Sequence, residues 1–389
     1  MKRYIVIGVL AAISTALFAQ SEELEMYTYL YNEALTGVDR LGVLQNAADA
    51  NLSGSEEFFA HALGRLLEEY PNIRSNNEKA AADATARLLA KVLGEKKYTA
   101  AGLNLWRTVE VFSNSLVKAD ALIAMGQAGA TELLPQVIQL LSDLNTKPSD
   151  DRETGERIAY GAILSLENYK DPAGYLPVFF ASVGWYSERI KNQAAASLPV
   201  LLADPSEPLT SVIKSSGYSY EVKYQALRTI ENSEVTTRSK AAVAVTAYSE
   251  AWRAATSDTR QRIILANTRK LAISMIRRYG TDDAAIYPLL ERSYTGGLDE
   301  EEQFGAVMAL AALGTDDAAR LLSNFLMAIN TNLRRGILTQ GDERMVRVVI
   351  PALGATGRSL GAPALREVLT SDWTNAVKNL ANEALKGIH

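Results

Sequence analysis

The sequence contains no cysteine and only two histidines, His61 and His389. A chain without cysteine forms no disulfides, no thiolate metal sites and no Cys-His catalytic pair. Zinc sites built on His or Cys ligands and Ser-His-Asp triads also lack the residues that they need. We therefore expect no metal ion and no catalytic residue, and we expect His61 to be a partly buried packing residue.

Basic charge and aromatic residues are scarce as well. The formal net charge is −5, which disfavours nucleic acid as a partner because phosphate-binding surfaces carry an excess of Lys and Arg. Aromatic residues make up 7% of the chain, and this does not indicate the dense aromatic lining of a sugar cleft. The segment Thr295-Gly296-Gly297 has neither a following Lys nor a preceding strand, so we predict a turn rather than a phosphate-binding loop.

Long apolar runs are absent after the first nineteen residues. Lys2 and Arg3 precede the apolar stretch 4–17, and Ala19 ends a cleavage site, which together predict a signal peptide over 1–19. Cleavage would leave a formal charge of −7, no transmembrane segment and no ready access to cytosolic cofactors, so we expect no cofactor. The predicted location is the periplasm of a double-membraned bacterium, with secretion or cell-surface association as the alternative.

One helical pattern recurs along the rest of the chain. A polar, usually basic residue is followed by a small residue three positions later and by small or apolar residues at six and seven, which lie on one helical face. The first residues of the copies are separated by 38, 35, 32, 46, 34, 44 and 31 residues, and two fainter copies begin at Arg40 and Lys79. The eight clear copies start at Lys118, Glu156, Lys191, Lys223, Arg269, Gln303, Arg347 and Lys378.

These intervals are typical of helical-hairpin repeats. The pattern resembles the HEAT/armadillo family, including its bilin-lyase-like subtype, in the copies themselves, in the segment 372–385 and in the hairpin prolines Pro135, Pro177, Pro208, Pro288 and Pro363. The resemblance implies an all-α fold, a right-handed α-α superhelix (solenoid) of about nine or ten helical hairpins. We predict a helical cap with weak repeats over 20–114 and the repeat solenoid over 115–389.

Two groups of residues are candidates for binding a partner. The basic ladder, represented by Lys191, Lys223 and Arg269, either pairs with acids of neighbouring repeats or forms a row of cations on the concave face. Trp185 and Tyr186 are predicted in a hairpin turn, where they either anchor a partner or cover the gap between two repeats. The sequence leaves both alternatives open.

The fold and the missing catalytic residues favour a non-catalytic periplasmic scaffold that binds an extended protein partner of the cell envelope along its concave face. The first alternative is an enzyme on a helical toroid that cleaves cell-wall polymers or polysaccharides with paired Asp and Glu side chains and no His. The second, suggested by the repeat subtype alone, is a bilin-lyase-like activity. The sequence does not indicate the oligomeric state.

Overall fold

A computed structural model of the chain describes residues 22–388, and within that range the protein is all-α, with no β-strand. This confirms the predicted fold class, whereas the handedness of a superhelix stays a prediction. No helix between residues 22 and 388 is both long and apolar enough to span a bilayer. The predicted signal peptide over 1–19 lies outside the described residues.

Helix contacts divide the chain into two units, Met1–Leu202 and Ala203–His389. The described part of the first unit begins with a helix over residues 22–33, named α1. The helices that follow are α2 (Gly37–Ala50), α3 (Glu56–Glu69), α4 (Asn76–Glu95), α5 (Gly102–Val111), α6 (Ser115–Ala128), α7 (Leu134–Thr146), α8 (Arg152–Tyr169), α9 (Tyr175–Val183) and α10 (Glu188–Leu201).

The second unit contains ten helices in its described part, and its longest, α14, has 21 residues. In chain order they are α11 (Ser206–Lys214), α12 (Tyr220–Asn232), α13 (Thr237–Arg253), α14 (Thr259–Tyr279), α15 (Ile286–Gly296), α16 (Glu300–Leu313), α17 (Asp316–Arg334), α18 (Gln340–Ala355), α19 (Ala362–Thr370) and α20 (Asn375–Lys386).

Each unit is built from helical hairpins whose principal contacts involve helices one or two places apart along the chain. From α3 to α20, every odd-numbered helix packs against the even-numbered helix that follows it. Within each unit, successive even-numbered helices also pack against one another, in the order α4, α6, α8, α10 in the first and α12, α14, α16, α18, α20 in the second. We call these the even rows. Contacts limited to near neighbours characterise repeat stacks.

The recurrent sequence pattern falls on the even-numbered helices. Each of the ten predicted copies starts within a different even-numbered helix, from Arg40 in α2 to Lys378 in α20. In most of them the first residue of the copy is the fourth or fifth residue of its helix. Arg269 and Arg347 are exceptions, because they are the eleventh residue of α14 and the eighth of α18.

Local capping explains where many of the helices begin. Asn114, Asp151, Ser219 and Asp299 each accept a backbone N–H bond in the first turn of an even-numbered helix, and such caps satisfy donors that have no intrahelical partner. Before the odd-numbered helix α9, Asp171 accepts in the same way from Ala173 N at 2.8 Å. Short-range hydrogen bonds therefore set many of the helix starts.

Small residues in the first even row permit very close helix approach. A Cβ added at Gly161 of α8 would lie 2.7 Å from the backbone Cα and O of Ala119 in α6, and one at Gly126 would lie 2.6 Å from the carbonyl oxygen of Ser165. No carbon atom fits at those distances without moving backbone. These glycines therefore set the spacing of α6 and α8.

A side-chain contact joins α8 to the start of α10. Glu156 accepts from Ser187 N at 2.8 Å and from Ser187 Oγ at 2.7 Å, while Arg152 of its own helix donates at 2.9 Å. Burial by itself would raise the pKa of the Glu156 carboxyl, but the hydrogen bonds from Ser187 and Arg152 outweigh it and lower the pKa below its ordinary value of 4.5. The ionised carboxylate is therefore the form that the fold stabilises.

The predicted boundary after residue 114 falls inside the first unit, between α5 and α6, and these helices pack together as a hairpin. The α3–α4 and α5–α6 hairpins of residues 56–128 follow the same odd–even scheme as later ones. A distinct cap over 20–114 stays a prediction.

Replacing Gly161 with Ala should destabilise the protein by about 1–3 kcal/mol, because the new methyl group overpacks against the Ala119 backbone. The matched control is Gly42→Ala in α2, where an added Cβ meets nothing within 4 Å. That change should stabilise by about 0.5–1 kcal/mol through helix propensity. Urea unfolding followed by circular dichroism measures both, and equal stabilisation by the two substitutions would contradict the close approach.

Replacing Glu156 with Gln should cost about 1 kcal/mol of unfolding free energy at pH 7, since the charged acceptor for Ser187 is lost. Because the folded-state pKa of Glu156 is lowered, its contribution is fully present above pH 4.5 and disappears as the pH falls through the folded value. The difference between wild type and variant should therefore shrink in acid. Glu153→Gln, at an exposed position of the same helix, serves as control, with a cost below about 0.5 kcal/mol.

Candidate functional site

A groove in the second unit contains one of the predicted partner-binding residues, Lys223. Its volume is about 650 Å³, and we call it the α11–α14 groove. It is lined by the end of α11, the connection 215–219, the start of α12, the end of α13, the connection 254–258 and the start of α14. Its apolar lining includes Ile213, Ala247, Ala251, Ile264 and Leu265.

Three cationic side chains line this groove without an acidic partner. Lys214, Lys223 and Arg260 make no ion pair and no side-chain hydrogen bond with any residue between 22 and 388, whereas Arg253 pairs with Glu250 at 2.9 Å. Lys223 is half-buried, and Lys214 and Arg260 are exposed. The groove therefore presents positive charge beside an apolar surface.

Acidic groups also line the groove, and hydrogen bonds from its own helices engage them. Asp258 Oδ1 caps α14 by accepting from Gln261 N at 2.8 Å, and Glu221 accepts from Gln225 at 3.0 Å. Tyr218 and Tyr220 complete the polar rim. Tyrosine offers apolar area and a hydroxyl at the same position, which suits a surface that binds a peptide.

Arg269, the second predicted binding residue of this unit, is 7% exposed and forms a buried ion pair. Its Nε and Nη2 atoms donate to the two carboxylate oxygens of Glu302 at 2.6 and 2.9 Å, and Glu302 is fully buried. Two parallel hydrogen bonds of this kind fix orientation as well as distance. Arg269 of α14 thus pairs with an acid of the neighbouring even helix α16, which is the structural alternative for this position of the ladder.

The Glu302 carboxylate also connects four helices through a buried hydrogen-bond network. Ser293 Oγ of α15 donates to it at 2.8 Å, Leu298 N donates at 3.0 Å, and the hydroxyl of Tyr248 in α13 donates to Ser293 Oγ at 2.6 Å. Burial is the largest effect on Tyr248 and raises the pKa of its hydroxyl, so the phenol stays protonated and acts as a donor. These bonds compensate the desolvation of the Arg269–Glu302 pair.

The other predicted residues, Trp185, Tyr186 and Lys191, belong to the first unit. Trp185 Nε1 donates to Leu144 O at 2.8 Å, and the hydroxyl of Tyr186, which is 2% exposed, donates to Asn145 Oδ1 at 3.0 Å. Both aromatic side chains therefore bond to the end of α7 and close the gap between two hairpins. Burial raises the pKa of the Tyr186 hydroxyl.

Lys191 of α10 is half-buried and lies 3.3 Å from Glu188 of the same helix. The ladder thus contains different environments: Lys191 and Arg269 pair with acids, whereas Lys118, Lys223, Arg347 and Lys378 form no ion pair with any described residue. Burial lowers the pKa of Lys118. Of the five predicted partner-binding residues, Lys223 is the one that lines a groove with no acidic partner of its own.

His61 differs from its prediction. The structure places it exposed on α3, because Phe58, Phe59, Ala62 and Leu63 occupy the core-facing side of that helix. Across residues 22–388, no three His, Asp or Glu side chains stand where they could hold a metal ion together.

Trp252, Arg262 and Arg292 were not among the predicted residues, although they lie close to Arg269 around a second cavity. No motif marks Trp252 of α13 or Arg292 of α15. The one available indication was the position of Arg262, which is the fourth residue of α14, as Lys223 is of α12.

Comparison with models of known protein families and with curated protein sequences found no match to the chain.

Arg269→Met should lower the unfolding free energy by about 3–5 kcal/mol, because it leaves the buried Glu302 carboxylate without its cation. The double variant Arg269→Met/Glu302→Leu should cost less than the single one, since no uncompensated charge remains. Lys270→Met is the matched control, because the partners of Lys270 are solvent-exposed; its cost should stay below about 1 kcal/mol. Urea unfolding of all three measures the effect, and equal losses for Arg269→Met and Lys270→Met would contradict a buried pair.

Proposed function

We propose that this protein is a non-catalytic scaffold of the bacterial periplasm that binds an acidic, extended segment of an envelope protein in the α11–α14 groove. The observation that carries the proposal is the set of cationic side chains, Lys214, Lys223 and Arg260, that line an apolar groove without acidic partners. A peptide with Asp or Glu side chains would supply those partners.

The composition of the groove supports an extended segment rather than a compact ligand. Its unpaired cations come from three helices, α11, α12 and α14, and its apolar lining includes Ile213, Ala251 and Leu265. A peptide laid across those helices could place alternate side chains on the apolar lining and at the charged rim. Affinity would then come from several modest contacts, with charge complementarity mainly increasing the association rate and the specificity.

The even rows support a scaffold role as well. Each helix packs mainly against its near neighbours in the chain, as in a stack of repeats. Stacked repeats form extended surfaces that commonly bind partners. This argument is an analogy at the level of the fold and does not identify the partner.

One observation favours a second candidate, a carboxylate-dependent enzyme that acts on cell-wall polymers. Glu221, Glu250 and Asp258 line the same groove, and carboxyl groups alone are sufficient for glycoside cleavage when two of them flank the bond. Glu250 already pairs with Arg253, and Asp258 caps α14. The ion pair of Glu250 and the helix cap formed by Asp258 favour structural roles over catalytic ones for these two acids.

The test is binding of a fluorescently labelled Glu-rich peptide to the purified full chain, measured by anisotropy. We expect saturable binding that weakens with rising salt and falls by about tenfold or more in Lys223→Glu and in Arg260→Glu. Arg366→Glu is the matched control, because Arg366 is exposed on α19 of the same unit and forms no ion pair with a described residue. It should change affinity less than about twofold.

Two outcomes would contradict the proposal. The first is absence of saturable binding, or equal loss in Arg366→Glu and the groove variants. The second is release of soluble fragments from purified peptidoglycan or polysaccharide by the wild type but not by Glu250→Gln, which would support the enzyme instead.

A further inference from the structure

A smaller cavity adjoins the α11–α14 groove. Its volume is about 180 Å³, and it shares Ala251, Ala254 and Leu265 with the groove. Its polar and aromatic lining consists of Trp252, Thr256, Arg262, Arg269 and Arg292. We call it the arginine pocket.

The charge of the arginine pocket is not balanced by the residues around it. Three guanidinium groups line it, and no Asp or Glu does. Glu302, which does not line the pocket, neutralises Arg269, whereas Arg262 and Arg292 make no ion pair and no side-chain hydrogen bond with an acceptor between residues 22 and 388. The pocket therefore keeps about two uncompensated positive charges.

Trp252 holds two of these guanidinium groups near each other. The Cζ atoms of Arg269 and Arg292 lie 4.1 and 4.3 Å from the centroid of its ring, so both guanidinium groups stack on the same side chain. Cation–π attraction to Trp252 partly offsets the repulsion between the two like charges. A bound anion would offset it further.

Arg269 has a donor left for such an anion. Its Nε and Nη2 atoms bond Glu302, and its Nη1 atom makes no hydrogen bond to another described residue. Because Arg269 is 7% exposed and fixed by two bonds, that donor is already oriented. Gly296 also lines the pocket, and an added Cβ there would meet no atom within 4 Å.

We infer that the arginine pocket is a binding site for a small oxyanion, a carboxylate or a phosphate, held between Arg262 and Arg292 and oriented by Arg269. Planar guanidinium groups donate paired hydrogen bonds to such anions. The exposed Arg262 and Arg292 supply most of the attraction, and Trp252 keeps Arg292 in place. This site does not depend on peptide binding in the α11–α14 groove.

The test follows the four indole N–H signals of the ¹⁵N-labelled full chain by NMR, with that of Trp252 assigned from Trp252→Phe. Sodium acetate and sodium phosphate are titrated separately, and sodium chloride at the same ionic strength is the reference. We expect a saturable shift of the Trp252 signal with an oxyanion and none with chloride. Arg262→Gln and Arg292→Gln should each weaken binding by about tenfold, the usual effect of losing one hydrogen bond to a charged group.

Arg260→Gln is the matched control, because Arg260 lies two residues before Arg262 on α14 and lines the groove instead of the pocket. The oxyanion affinity of the Arg260→Gln variant should stay within about twofold of that of the wild type. Tighter binding of acetate than phosphate identifies a carboxylate site, and the reverse identifies a phosphate site. A chloride response equal to that of both oxyanions, or unchanged affinity in Arg262→Gln and Arg292→Gln, would overturn the inference.

Since Arg260 belongs to the proposed peptide groove, the two proposals fail separately. Loss of peptide binding in Arg260→Glu with intact oxyanion binding in Arg260→Gln supports both. Oxyanion binding without any peptide binding would support the arginine pocket as an oxyanion site and contradict peptide binding in the groove.

Discussion

The close approach of successive even-numbered helices is the constraint on which the other features depend. At Gly161 the backbone of α6 occupies the space that a Cβ would need, and the same relation holds between Gly354 of α18 and Ala384 of α20. Helices at such short spacing bring the first turn of one within side-chain reach of its neighbour. The Glu156–Ser187 contact and the Arg269–Glu302 pair each join one even-numbered helix to the start of the next.

The repeat and the fold class could be predicted from the sequence because small residues must recur wherever helices approach closely. Every predicted copy lies on an even-numbered helix. The first residue of the copy was harder to predict in α14, because two arginines fit the recurrent pattern. Ala272 and Met275 follow Arg269 at the required spacing. Leu265 and Thr268 follow Arg262 at that same spacing. Because α14 has 21 residues, a copy that starts at either arginine includes buried residues of this helix. Starting the copy at Arg262 makes the adjacent intervals 39 and 41 instead of 46 and 34.

The candidate site was predictable only in part, because charge and residue type do not reveal burial. Lys223 and Arg269 match the same pattern, yet one lines a groove without an acidic partner and the other pairs with Glu302. Whether the basic residue is paired depends on whether the next even-numbered helix places an acidic side chain within its reach. Trp252 and Arg292 belong to α13 and α15, and these odd-numbered helices do not carry the recurrent sequence pattern. Tertiary packing alone therefore brings the two residues beside Arg269.

The central claim, that the α11–α14 groove receives a partner protein, is tested most directly by a photo-reactive phenylalanine analogue placed at Tyr220, inside the groove. The same analogue at the exposed Ile337, in the connection after α17, is the reference. Irradiated cells should yield one reproducible adduct from position 220 whose crosslinked peptide is rich in Asp and Glu, and none from position 337. No adduct at 220, or identical adducts from both positions, would contradict the claim.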